Sequence, residues 1–241
     1  MRTPIYIEPA QSERKYRRLK ALSQELRIPV MEMFLEVEVR DGAGRVTDHF
    51  KQRSHSWTRN AYNILISQFG SLNAADTTFA AGKISAKDTS GTVQHASSSF
   101  NVGQGNLVAS GVGYTGASGS NTYGIQYGNN TEADDFEAFA LTGLIANGTS
   151  SGNLSYAVGQ PIVASYDTPS KTWTVTVVRF ANNNTGNTTS VNEIGLVANC
   201  FVAATTNNAC MLSRDHLSST ISVLDTGQIK AIYTLTLTFP G

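Results

Sequence analysis

Charge is scarce in this chain. Only 15% of its 241 residues are Asp, Glu, Lys or Arg, against roughly 25% in an ordinary soluble domain. The 18 bases balance the 18 acids, so no global field draws the molecule to nucleic acid or to an acidic membrane. Long apolar runs are missing too. No stretch approaches the roughly 20 residues that span a bilayer, and the start, Met1 to Pro9, lacks the apolar run of a signal peptide. The expectation is a protein made in a cytoplasm, with no membrane partner. Cys200 and Cys210 are the only cysteines, too few for a disulfide scaffold or a self-contained zinc site, and they read as buried free thiols. The Ala/Leu/Glu/Lys mix of long helices is thin, which excludes an all-helical protein. Gly, Ser, Thr and Asn take its place, the residues of turns and of solvent-facing strand positions.

The neutral total hides an asymmetry. Residues 1–60 hold 12 Lys and Arg against 8 Asp and Glu, a net +4, whereas residues 61–241 hold 6 against 10, a net −4. The bases concentrate at the start, with Arg2, Arg14, Lys15, Arg17, Arg18, Lys20 and Arg27 among residues 1–28 and only Glu8, Glu13 and Glu25 opposing them. Ser12 followed by Glu13 to Leu26 predicts a capped helix whose narrow apolar stripe is Leu19, Leu22 and Leu26. Residues 1–28 therefore form an extended, partly helical assembly arm, expected to order on a neighbouring subunit. The three acids blunt any attraction to phosphate, which disfavours nucleic acid as its dock.

From Pro29 the period changes to two. Met31, Met33, Leu35, Val37 and Val39 alternate with Glu32, Phe34, Glu36, Glu38 and Arg40, the pattern of a half-buried strand. Asp41 to Gly44 form a turn, and Arg45 to Ser54 return as the hairpin partner. Thr58 caps a predicted helix that ends at Gly70. Residues 71–122 have no defensible register and mark a place where the domain 29–241 could subdivide. A short strand follows at Tyr123 to Gly128, then a turn or short helix from Asn130 to Leu144. Three stretches, Asn153 to Tyr166, Lys171 to Phe180 and Val191 to Val197, read as a β-meander. In the last strand, Gly227 to Phe239, residues Tyr233, Leu235, Leu237 and Phe239 are expected to face the core. The fold class is mainly β, an antiparallel, jelly-roll-like β-sandwich with one or two short helices.

Motifs that would carry chemistry are not convincing. Gly111 to Gly116 spells a dinucleotide loop, but no apolar strand feeds it and Gly119-Ser120-Asn121 stand where its helix should begin. His49, His55, His95 and His216 have no ligand spacing. Glu132, Asp134, Asp135 and Glu137 lack the alternating ligand pattern of a calcium loop and read as a solvated acidic turn. No catalytic residue, metal or cofactor is nominated. Glu193, a single charge entering the apolar strand Ile194-Gly195-Leu196, is expected to form a structural ion pair with Arg179 or Arg214.

The succession Gly124 to Gly128, Trp173 to Phe180, Val191 to Leu196, Met211 to Asp215, and Gly227-Gln228 leading to Tyr233–Leu237 resembles a family of tailed-bacteriophage virion proteins. The front half, with its acidic strand, hairpin and Ser54 to Asn60 leading into a helix, is similar to the start of the same proteins. The resemblance spans about residues 30–241 and omits the arm. It implies a virion structural protein, in capsid decoration, neck or tail, that assembles with itself and with other virion proteins and has no catalytic residues to carry over. A second reading is a carbohydrate- or receptor-binding tail module, in which Trp57, Trp173 or Tyr127 would line a sugar site, although alternation puts Trp173 with Val175 and Val177 in the core. A glycan depolymerase would need converging carboxylates.

Overall fold

The structure is a computed structural model that describes residues 3–71, 75–96, 113–202 and 206–240. Two β-sheets face one another. The larger is built from β1 (Ile5–Tyr6), β2 (Val30–Arg40), β3 (Val46–Arg53), β7 (Ser155–Tyr156), β8 (Val163–Asp167), β9 (Thr172–Asn182) and β12 (Gln228–Thr238), in the order β1-β3-β2-β12-β9 with β7 and β8 both on the far side of β9. The smaller has the order β11-β10-β6, from β6 (Gly124–Gly128), β10 (Thr189–Val202) and β11 (Thr206–Val223). Every pairing between strands is antiparallel except β1 with β3. A hairpin of β4 (Ser85–Lys87) and β5 (Val93–His95) stands apart, and the helices are α1 (Ala10–Leu26) and α2 (Arg59–Gly70).

The mainly-β sandwich expected from composition is what forms. The β2–β3 hairpin, the final strand and α2 fall within a residue or two of their predicted places. The meander forms only in part: β8 and β9 pair as antiparallel neighbours in the large sheet, whereas β10 crosses to the small one and pairs with β11 and β6. Each stretch is strand-like by itself, but only the facing layers decide which neighbour it takes. Helix α1 starts at Ala10, with Pro9 at its cap position rather than Ser12, because proline's fixed φ suits the entry to a helix. Thr58 does occupy the cap of α2, yet its hydroxyl donates to the Met211 carbonyl at 2.7 Å and makes no cap bond. Residues Asn130 to Leu144 hold turns and no helix.

Odd-numbered residues of β2, β9 and β12 face the small sheet. Leu35, Val37, Ile229 and Tyr233 pack against Ile125, Tyr127, Ile194 and Leu217. The large sheet is longer than its cover. Rows pairing Leu35 with Tyr233 and Tyr233 with Val177 are enclosed, but those of Met33, Leu235 and Val175 and of Met31, Leu237 and Trp173 run out past the small sheet. Of Tyr233, Leu235, Leu237 and Phe239, expected in the core, only Tyr233 is buried, and Trp173, on the face predicted for it, is 42% exposed.

Candidate functional site

Three features have the character of built sites: two buried polar networks and one open apolar cleft.

Arg179 is the largest fully buried side chain. It does not meet Glu193. Its Nε donates to the Ala157 carbonyl at 3.1 Å, Nη1 to those of Tyr123 at 2.8 Å and Ile125 at 3.0 Å, and Nη2 to that of Ala117 at 2.9 Å and to that of Ser120. All five guanidinium N–H donors are thereby matched to backbone oxygens. The face of Tyr156 lies 4.8 Å from the guanidinium carbon, and burial pushes the arginine's pKa below its usual value. Gly116 makes this approach possible, since a Cβ there would sit 2.5 Å from the Arg179 Cζ and 2.4 Å from the Tyr123 carbonyl oxygen. Gly116, the last glycine of the dinucleotide-like spelling, thus serves the packing of an arginine; Gly111 and Val112 of that spelling lie outside the described residues.

Glu193 chooses Arg214. Its Oε2 accepts from the Arg214 Nε at 2.6 Å, its Oε1 accepts from the Gly143 backbone at 3.0 Å, and both residues are buried. Arg179 and Arg214 lie on different sheets, so the strand crossover decided between them. Gly128, opposite Glu193 in the β6–β10 register, leaves the space: a Cβ there would fall 2.4 Å from the carboxylate. Nearby, Asp215 accepts from Tyr233 at 2.7 Å, Ser54 at 2.9 Å and Ser213 at 3.0 Å. Burial raises its pKa, against the pull of these hydroxyls. These carboxylates are saturated by their own fold: Asp215 ties the small sheet to β12 of the large one through Tyr233, and Glu193 ties β10 to β11 and to the backbone of Gly143.

The arm is tied down by polar contacts to its own chain. β1 pairs with the β3 edge, and Arg53 bonds Glu13 at 3.1 Å and also Glu32, while its guanidinium lies 4.0 Å from the centre of the Tyr16 ring. Lys20 reaches Glu32 at 2.5 Å, and His55 lies between Glu8 at 3.0 Å and Tyr16 at 2.9 Å. Arg17 reaches Glu13 at 3.7 Å. Arg14, Lys15, Arg18 and Arg27 are exposed, and Arg2 lies outside the described residues. Leu19, Leu22 and Leu26 are exposed as well. The helix therefore turns its polar side to the body and its leucines to solvent.

The cleft opens where the large sheet outruns its cover. Met31, Met33, Val175 and Leu235 form one wall, and Ala61, Ile64, Leu65 and Gln68 of α2 form the other, enclosing about 250 Å³. Trp57 and Tyr114 also line it. Helix α2 is set there by two asparagines that mimic strand pairing: Asn60 exchanges bonds with Lys87 at 2.8 and 2.7 Å, and Asn63 donates to Ser85 at 2.7 Å. Beyond the cleft the back of α2 shows Tyr62, Ile66 and Phe69, the last 80% exposed. Tyr62 touches Phe136, which sits within the exposed acidic turn of Glu132, Asp134, Asp135 and Glu137. Tyr166, Trp173 and Phe239 cluster at the end of the overhang, Tyr166 standing 5.2 Å from Trp173 and 6.2 Å from Phe239 between ring centres. Of the aromatics considered for a sugar site, Tyr127 is fully buried and Trp57 lines the cleft, so the three do not converge.

Sequence reasoning missed this cleft, because the positions that form it carry an ordinary core pattern. Cys200 and Cys210 are buried free thiols beneath α2. Among the described residues no three His, Cys, Asp or Glu gather as metal ligands, and no helix is long and apolar enough to cross a membrane. Comparison with family models, with curated proteins and with solved structures gives no match.

Proposed function

We propose that this chain is a structural subunit of a tailed-bacteriophage particle that works by assembly, in capsid decoration, neck or tail, with its partners other copies of itself and other virion proteins. The observation that carries the reading is the exposed apolar side chains of the cleft, of the overhanging sheet and of the back of α2. Such an area on a domain so poor in charge favours burial against another protein. The saturated hydrogen bonding of Arg179, Glu193 and Asp215 supports a structural rather than a chemical use of the buried charges. The test is quantitative mass spectrometry of purified virions. Hundreds of copies per particle would mean capsid and about a dozen neck or tail, while absence from particles refutes the reading.

A second reading, a carbohydrate- or receptor-binding tail module, is favoured by the exposed Tyr166, Trp173 and Phe239, since aromatic faces on a rigid sheet suit sugar rings. Glycan-array binding that is lost on Trp173→Ala would favour it over assembly alone.

A further inference from the structure

We infer that the occupant of the apolar cleft is the α1 helix of a second copy of this chain, its leucine stripe laid between α2 and the overhanging sheet. The inference rests on the assembly reading above and names the surfaces that assembly would use.

Three observations converge. First, α1 presents Leu19, Leu22 and Leu26 at the spacing of three and four that a groove-bound helix uses for anchors, and all three are exposed, at 50%, 42% and 62%. The side that holds α1 to its own body, Glu13, Tyr16 and Lys20, lies about a third of a turn round the helix from that stripe. A subunit can therefore keep its arm latched and still offer the leucines. Second, the cleft is an apolar trough with a helix as one wall and a sheet face as the other, an arrangement that offers apolar side chains to both flanks of an inserted helix. Third, the charges match. Lys15 and Arg18 flank the leucines and are exposed, while Asp135 is exposed in the turn that Phe136 brings against Tyr62 near the start of α2, the helix that walls the cleft. Opposite fields on the two surfaces steer encounter and fix orientation.

Because the stripe and the cleft are different surfaces, two copies either exchange arms reciprocally in a two-fold dimer or make a head-to-tail contact. Repeated, the head-to-tail contact closes into a ring or extends as a helical stack.

The experiment uses the full chain and two variants at exposed positions, Leu22→Glu in the stripe and Leu65→Glu in the cleft wall, with circular dichroism confirming that both are folded. In sedimentation velocity the wild type should associate with rising concentration, more weakly at high salt, and each variant alone should be monomeric. An equimolar mixture of the two should form a one-to-one dimer and nothing larger, because Leu65→Glu retains the stripe and Leu22→Glu retains the cleft. Wild-type association that persists in both variants, or a mixture that stays monomeric, overturns the pairing of stripe with cleft and leaves assembly by another surface standing. A wild type monomeric up to about 1 mM, a limit that caps the attraction at about 4 kcal/mol, and absent from particles overturns both.

Discussion

Replacing Arg179 by lysine tests the buried network most directly. The guanidinium spends its five N–H donors on the carbonyls of Ala117, Ser120, Tyr123, Ile125 and Ala157. A lysine brings three donors on one nitrogen, so at least two of those buried oxygens lose their partner. At about 1–3 kcal/mol for each buried group left unsatisfied, the expected loss is about 2–6 kcal/mol, a large part of the roughly 5–15 kcal/mol that holds an ordinary domain together. The damage should be local first, because four of the five carbonyls belong to residues 117–125. Urea denaturation gives the total, and amide hydrogen exchange should show residues 117–125 losing protection before β2 and β12 do. Arg179→Met, which keeps the stem and removes every donor, should be worse than lysine. If Arg179→Lys costs under about 1 kcal/mol, less than one unsatisfied group, with protection unchanged, then Arg179 is not the anchor of this segment.

The Glu193–Arg214 pair is buried on both sides, so Arg214→Met should cost about 3–5 kcal/mol by stranding the carboxylate; the double change with Glu193→Met should cost less than the sum of the single ones, and additivity in that cycle would contradict the pairing. Burial opposes ionisation of Glu13, but hydrogen bonds from Tyr6 and Arg53 outweigh it and hold its pKa below 4.5. Its contribution to holding the arm is therefore complete above about 4.5 and is lost as pH falls through the lower folded value. Protection factors of α1 amides should drop in that acid range ahead of the sheets, and the step should vanish in Glu13→Gln. Leu35→Ala, at a fully buried position, should cost about 2–5 kcal/mol, whereas Leu235→Ala, beside space that is already open, should cost less than about 2 kcal/mol; equal losses would show that the cleft is closed in solution.

Local patterns were enough for the elements themselves. Period-two alternation in β2 and β12 named the inward face of each strand, the four residues Asp41 to Gly44 named the turn, and the spacing of apolar residues after Thr58 named α2. These signals are legible because they depend on neighbours a few residues away in the chain. Even the face of Trp173 was legible in this way, on the same side as Val175 and Val177, although its exposure was not.

What only the tertiary structure decided is which surfaces meet. Alternation says that one side of a strand is apolar, but whether that side is covered depends on the length of the opposing sheet, and here the large sheet outruns the small one and leaves Met31 and Leu235 at an open cleft and Trp173 exposed at the end of the overhang. The partner of Glu193 was undecidable for the same reason, since Arg179 and Arg214 are equally basic in the sequence and become different only when the crossover from β9 to β10 puts them on separate sheets. The arm was read as basic with a leucine stripe, yet the sequence could not say that Arg53 and Glu32, distant in the chain, would claim its polar side and turn the leucines outward. Composition and periodicity determined a charge-poor β-sandwich with a basic arm; long-range packing, which pairs residues by space rather than by order, determined where its unsatisfied apolar surface lies.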